Sequence, residues 1–255
     1  MRKEELKLLL DSLYEKYNKM GFIPDDPICI PHGFIDKKDI EISGFFAAIF
    51  AWGQRKTIIN KCNFLFERMD NSPYDFIVNH SKSDLVPFKE FVHRTFNFID
   101  LHYFLRFLKQ HYLKQDSLES LFVKGMSSKD VDVRKGIISF REEFFSLEHE
   151  KRTEKHVSSP LSNSACKRIN MYLRWMVRKD KHGVDFGIWK EIKPSQLLCP
   201  LDVHVIRMAQ EFGLLKTDKA NWKTCLELTE KLRQLDPNDP VKYDFALFGF
   251  GVENK

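Results

Sequence analysis

The chain has 255 residues, 43% hydrophobic and 30% charged, with 41 Lys+Arg against 36 Asp+Glu for a formal charge of +5. That balance excludes a disordered polyelectrolyte, and no apolar run approaches the ~20 residues of a bilayer span. A soluble globular protein with a sizeable core is expected, built as one large domain or two small interlocked ones.

In chain order, the first predicted element is a helix with Leu6, Leu9, Leu10 and Leu13 on one face. Its acidic start, with Glu4 and Glu5, is unlike a secretory signal, so the cytoplasm is the expected location and no membrane partner is foreseen. A loop through Pro24, Pro27, Pro31 and Gly33 follows, and Asp39 is read as the cap of a helix over residues 40–52 that Gly53 breaks before Gln54. Phe45, Phe46, Ile49 and Phe50, then Ile58, Ile59, Cys62 and Phe66, recur at the three- and four-residue intervals of a buried helix face. Asn71-Ser-Pro73 starts another helix, residues 100–112 form a strongly amphipathic one, and residues 137–145 read as helix again. Strict alternation bounded by Asn-Gly or Asp-Gly turns is missing, and only 11 glycines occur, so the chain is read as all-α.

The charge is concentrated. Residues 151–190 hold ten basic and three acidic residues, a surface that would attract a phosphate-rich partner, with a merely solvated helix face as the alternative. Within it, Ser162, Asn163 or Ser164 is positioned to cap a helix beginning near Ala165, with Ile169, Tyr172, Leu173 and Met176 on its apolar side. Lys167, Arg174 and Arg178 share another face. A further helix starts at Pro200-Leu-Asp202, and Asp239-Pro240 announces the last one.

Two positions invite chemistry. Lys167 stands in a helix first turn beside Arg168, where positive potential disfavours a protonated amine, the condition a nucleophilic lysine needs. Asp202 precedes the helical run Val203, Ile206, Arg207, Ala209, where backbone N–H groups would hydrogen-bond its charged form. Taken singly, a solvated lysine and a plain N-cap are the commoner explanations. The five cysteines form no C-x-x-C pair and the nine histidines no H-x-x-x-H pair, so no disulfide framework, metal or other cofactor is expected.

The block Ser164-Ala-Cys-Lys167-Arg-Ile-Asn-Met-Tyr-Leu-Arg-Trp-Met176, followed by Pro200-Leu-Asp-Val-His204-Val-Ile-Arg-Met-Ala209, resembles the active-site half of the helix-hairpin-helix DNA glycosylase superfamily. It is most similar to enzymes that cleave 8-oxoguanine, nearest their archaeal branch. The segment from Phe46 to Gln54 resembles the superfamily's early helix, and Tyr243 to Gly251 its closing helix. Asp26-Pro-Ile and Pro31-His-Gly-Phe34 are shared with an uncharacterised bacterial family related to these glycosylases. Residues 67–160 contribute little to the likeness.

The resemblance implies two helical subdomains around a cleft, residues 1–60 with 200–255 in one and 61–199 in the other. It implies a monomeric base-excision repair glycosylase and abasic-site lyase, nucleoid-associated in a bacterium, acting on double-stranded DNA that contains a damaged base. Lys167 would be the nucleophile and Asp202 the catalytic carboxylate. Gln54, Trp52, Asp244 and Phe248 would bind the extruded base, and Ser164, Arg168, Arg174, Arg178 and His204 the DNA. Where the superfamily reads Gly-x-Gly before the lysine, this chain has Ser162-Asn163-Ser164-Ala165, so a non-catalytic nucleic-acid-binding protein on the same fold is the alternative.

Overall fold

The computed structural model describes residues 2–254. Helix accounts for 62% of it and strand for 2%, an all-α fold. In chain order the helices are α1 (Lys3–Tyr17), α2 (Lys37–Phe50), α3 (Arg55–Glu67), α4 (Pro73–Asn79), α5 (Phe98–Tyr112), α6 (Glu119–Val123), α7 (Arg134–Phe144), α8 (Lys167–Val177), α9 (Val203–Glu211), α10 (Trp222–Arg233) and α11 (Tyr243–Glu253). Among the described residues no helix is long and apolar enough to cross a membrane.

Several boundaries differ from the sequence reading, each for a tertiary reason. Helix α2 begins at Lys37 because Asp36 accepts the Lys38 N–H, whereas the Asp39 carboxylate caps nothing in its own helix and instead accepts the Tyr74 N–H at 2.8 Å, fastening α4 to α2. Asp239 likewise does not cap. Its carboxylate turns to Arg178, and the chain makes a short turn before α11 begins at Tyr243. One small hairpin is present, β1 (Val92–His93) against β2 (Phe96–Asn97), with Val92 opposite Asn97 and His93 opposite Phe96. It is too short to show alternation, and its turn uses Arg94 in a left-handed conformation (φ +57°) in place of an Asn-Gly pair.

Helix α2 is the centre of the molecule. Residues from Ile40 to Phe50 are buried without interruption, because α2 packs on α8, α3 and α4 at once. Gly44 permits the approach to α8, since a Cβ there would lie 3.0 Å from Met176 Cε. The abundant phenylalanines fill this region: Phe45 stacks on Phe104 at 5.7 Å and Phe122 on Phe140 at 4.4 Å. Within the apolar run stands one wholly buried carboxylate, Glu41, which accepts hydrogen bonds from Trp189 Nε1 at 2.6 Å, Tyr112 Oη at 2.9 Å, the Leu118 N–H at 3.1 Å and Ser117 Oγ. It ties α2 to the end of α5, the start of α6 and the loop after α8.

The two ends of the chain meet. Helix α1 packs along α11, and α11 packs on α9. Gly251 allows the second approach, because a Cβ there would lie 3.1 Å from both the Cβ and the carbonyl oxygen of His204. The first turn of α9, which begins at Asp202, is thereby held against the last turns of α11.

Candidate active site

Asp202 has two tasks divided between its two oxygens. Oδ1 accepts the N–H groups of His204 and Val205, both at 2.9 Å, and so starts α9. Oδ2 lies 3.3 Å from Lys167 Nζ. Their side chains are 36% exposed for Lys167 and 11% for Asp202, so the ion pair sits at a mouth and not in the core.

Lys167 reaches this place because α8 starts there. Before it the chain turns through two left-handed residues, Asn163 (φ +57°) and Cys166 (φ +47°). The helix begins at Lys167, with Cys166 rather than a Ser or Asn at the capping position and no side-chain cap. The expected cap fails because Ser164 Oγ is engaged by the Cys166 N–H at 3.2 Å inside the turn. The amides of Asn163 and Ser164 are also used locally, by the carbonyls of Pro160 and Ser159, and the Asn163 carbonyl accepts the Trp222 N–H.

A cavity of about 640 Å³ opens beside the pair, within the range of sites for nucleotide-sized groups. It brings together residues from four distant segments: Gln54, Lys167, Asp202 with His204, and Asp244 with Phe248. Phe22, Trp175 and Phe248 supply aromatic wall, and the indole Nε1 of Trp175, although buried, has no hydrogen-bond partner among the described residues.

Three carboxylates and three cations face this space. Besides the Asp202–Lys167 pair, Asp244 accepts a hydrogen bond from Arg174 Nη1, and complete burial raises its carboxyl to about 6 in spite of that cation. Asp26 accepts the Ile28 N–H at 3.1 Å, and burial pushes its carboxyl above the ordinary range while Arg174 pulls the other way. Arg55 completes the set, its guanidinium 5.2 Å from the Phe248 ring centroid. An amine and a carboxylate in contact at the mouth, with polar groups deeper among aromatic walls, suit a nucleophile, a charge stabiliser and a shaped receptor for a planar group.

The remaining expected residues divide. Gln54 stands exposed at the lip and caps nothing. His204 lines the cavity, with Nδ1–H donating to the Gly251 carbonyl at 3.2 Å. Arg168 is largely buried, its Nη1 donating to the Ile49 carbonyl at 2.6 Å. Ser164 is a correction, since its hydroxyl serves the turn instead of facing DNA. Trp52 is another: it does not line the cavity, and its ring is covered by Arg94 at 4.6 Å and Arg168 at 6.0 Å.

Arg174 and Arg178 are corrected most. Both share the Lys167 face of α8, but that face points inward, and they are only 4% and 1% exposed. Arg174 Nε meets Asp185 at 3.2 Å, and Arg178 is surrounded by Asp180, Asp185 and Asp239 at 2.6, 2.9 and 2.8 Å. Arg178, with all three nitrogens engaged, has no donor left for a phosphate, whereas Arg174 lies in the cavity wall with Nε and Nη1 held by buried carboxylates.

Asp26 and Arg55 are cavity residues that the sequence reading does not assign. In the sequence Asp26 stands out only as the start of the shared Asp26-Pro-Ile stretch, and Arg55 is a basic residue just after Gln54; neither carries a local sign of the cavity.

No curated protein and no solved structure matches the chain. A family model described as a protein of unknown function (DUF2400) matches residues 26–253, and the chain belongs to that family.

Proposed function

We propose that this protein is a DNA glycosylase with abasic-site lyase activity, acting on a damaged base, with an 8-oxoguanine-like purine favoured. The observation that carries the reading is the 3.3 Å contact between Lys167 Nζ and Asp202 at the mouth of a cavity that also contains Gln54, Asp244 and Phe248. The chemistry follows from charge. Breaking the base–sugar bond creates oxocarbenium character that the Asp202 carboxylate stabilises. Lys167 gives up the proton of its ion pair, its neutral amine forms a bond to the same carbon as the bond to the base breaks, and the base leaves carrying that proton. Ring opening yields a Schiff base, and loss of a proton from the adjacent carbon expels the 3′ phosphate. A base reaches the cavity only by leaving the duplex stack, at a cost of a few kcal/mol that a lesion reduces.

One observation favours the second reading, a non-catalytic nucleic-acid binder. The Asn163 and Ser164 amides are committed to internal carbonyls, so this turn offers fewer donors to a phosphate than a glycine hairpin would. Borohydride trapping on duplexes bearing 8-oxoguanine, an abasic site or uracil separates the two. The enzyme reading expects a covalent adduct that Lys167→Ala abolishes and Asp202→Asn forms on the order of 10²-fold more slowly. No adduct with any of the three, accompanied by salt-sensitive DNA binding, establishes the second reading instead.

A further inference from the structure

The loop after α2 and the β1–β2 hairpin meet at Trp52. The hairpin turn presents Arg94, which is exposed and left-handed in backbone, a conformation uncommon for a long side chain. Arg152 holds that turn in place from the far side, donating to the Thr95 carbonyl, Asn97 Oδ1 and Asp100 Oδ2, each at 2.8 Å. The Arg94 guanidinium lies 4.6 Å from the Trp52 ring centroid, and the Arg168 guanidinium 6.0 Å from the same ring.

Cation–π attraction holds each guanidinium to the indole. Neither has a carboxylate partner among the described residues, and of the two only Arg168 donates a hydrogen bond within them, from Nη1 to the Ile49 carbonyl. The contrast with Arg174 on the same helix, which meets two aspartates, and with Arg178 just after its end, which meets three, is direct. Burial with no facing carboxylate lowers Arg168 to about 10, the sign of a cation held without its counter-charge.

The arrangement is also built against the cavity. Gly53, one of the lining residues, has φ +111°, and a Cβ there would lie 2.9 Å from Arg94 Nη1. Only glycine both adopts that backbone and leaves the guanidinium its place on Trp52. Ala51 and Gly53, on either side of Trp52 in the chain, both line the cavity, so the ring and the guanidiniums on it stand beside that space.

We propose that Trp52, Arg94 and Arg168 form a clamp for one phosphodiester group of the DNA strand whose nucleotide enters the adjoining cavity. That the phosphate belongs to DNA rests on the reading above; the unpaired guanidinium pair does not. The clamp gives Trp52 a role as platform for arginines instead of partner for a base, and brings the 67–160 region into the binding surface through Arg94.

The test is fluorescence anisotropy of a duplex carrying an abasic-site analogue, titrated over a range of salt concentrations, with folding checked by circular dichroism. Each lost phosphate contact removes about 0.9 from the slope of log K against log salt. Arg94→Ala should remove about that much and weaken binding roughly tenfold at moderate salt, the effect of one charge-assisted hydrogen bond. Gly53→Ala, which displaces the guanidinium without removing it, should weaken binding in the same direction, and Arg94→Lys should keep the slope while losing affinity. Slopes and affinities unchanged in Arg94→Ala and Gly53→Ala overturn the clamp. Trapping on the same proteins keeps the two proposals apart: an adduct with unchanged slopes leaves the lyase and removes the clamp, and reduced slopes without an adduct leave the clamp on a non-catalytic binder.

Discussion

Asp202 and Asp244 are both aspartates in one cavity, yet the structure treats them oppositely. Asp202 is fixed by two backbone N–H groups and a lysine, whereas Asp244 is buried and raised to about 6, with Arg174 as its ion-pair partner. For a carboxyl raised above its unfolded value near 4, the native state holds more protons than the unfolded chain between about pH 4 and pH 6. The Asp244 contribution to stability therefore falls as pH rises through that window, by about 2–3 kcal/mol at most. Chemical denaturation across pH 4–7 should show wild-type stability declining relative to Asp244→Asn as pH rises, and parallel curves for the two proteins would refute it. In the proposed enzyme Asp244 would also offer a donor to an extruded base below about pH 6 and only acceptors above it.

At the scale of the element, α8 explains why a charge count misleads. Its basic residues at 167, 174 and 178 lie on one side as the 3.6-residue period requires, but that side faces Asp185, Asp239 and Asp244 from other parts of the chain. The first of the three reaches the mouth, the second backs the cavity wall and the third is core. Arg178→Met should consequently act on stability and not on binding. Removing one partner of a buried ion network costs about 3–5 kcal/mol, so a large drop in melting temperature is expected while the salt slope of DNA binding stays that of wild type. A reduced slope would mean that Arg178 reaches solvent after all. Glu41 in α2 follows the same logic with opposite sign: a carboxylate in an unbroken apolar run is tolerated because four donors from three separate segments converge on it.

For the whole molecule, the decisive contact is between the chain's two ends. Helix α11 carries Asp244 and Phe248 into the cavity and is braced on its other side by α1. The brace is close at Gly249, where a Cβ would lie 2.3 Å from Tyr17 Cγ. Gly249→Ala should force α1 and α11 apart at an overpacking cost of about 1–3 kcal/mol, lowering the melting temperature by roughly 2–4 °C for each kcal/mol in a chain of this size. Calorimetry reads this directly, and a melting temperature equal to or above that of wild type would show that α1 accommodates the methyl group.

Much of this was legible in the sequence. Apolar spacing at three and four residues set the helices, because burial of one face is a local pattern that repeats within each segment. Lys167 and Asp202 stood out because a helix first turn is also local. What lay beyond reach were properties fixed by partners far along the chain: that Arg174 and Arg178 point inward, that Asp39 and Asp239 fasten other elements instead of capping their own helices, that Asp26 and Arg55 join the cavity, and that Arg94 rests on Trp52. Periodicity assigns a residue to a face. Only the tertiary structure decides what that face meets, since the burial and counter-charge that determine whether an arginine is core or surface come from loops and helices outside its own element, some of them dozens of residues away.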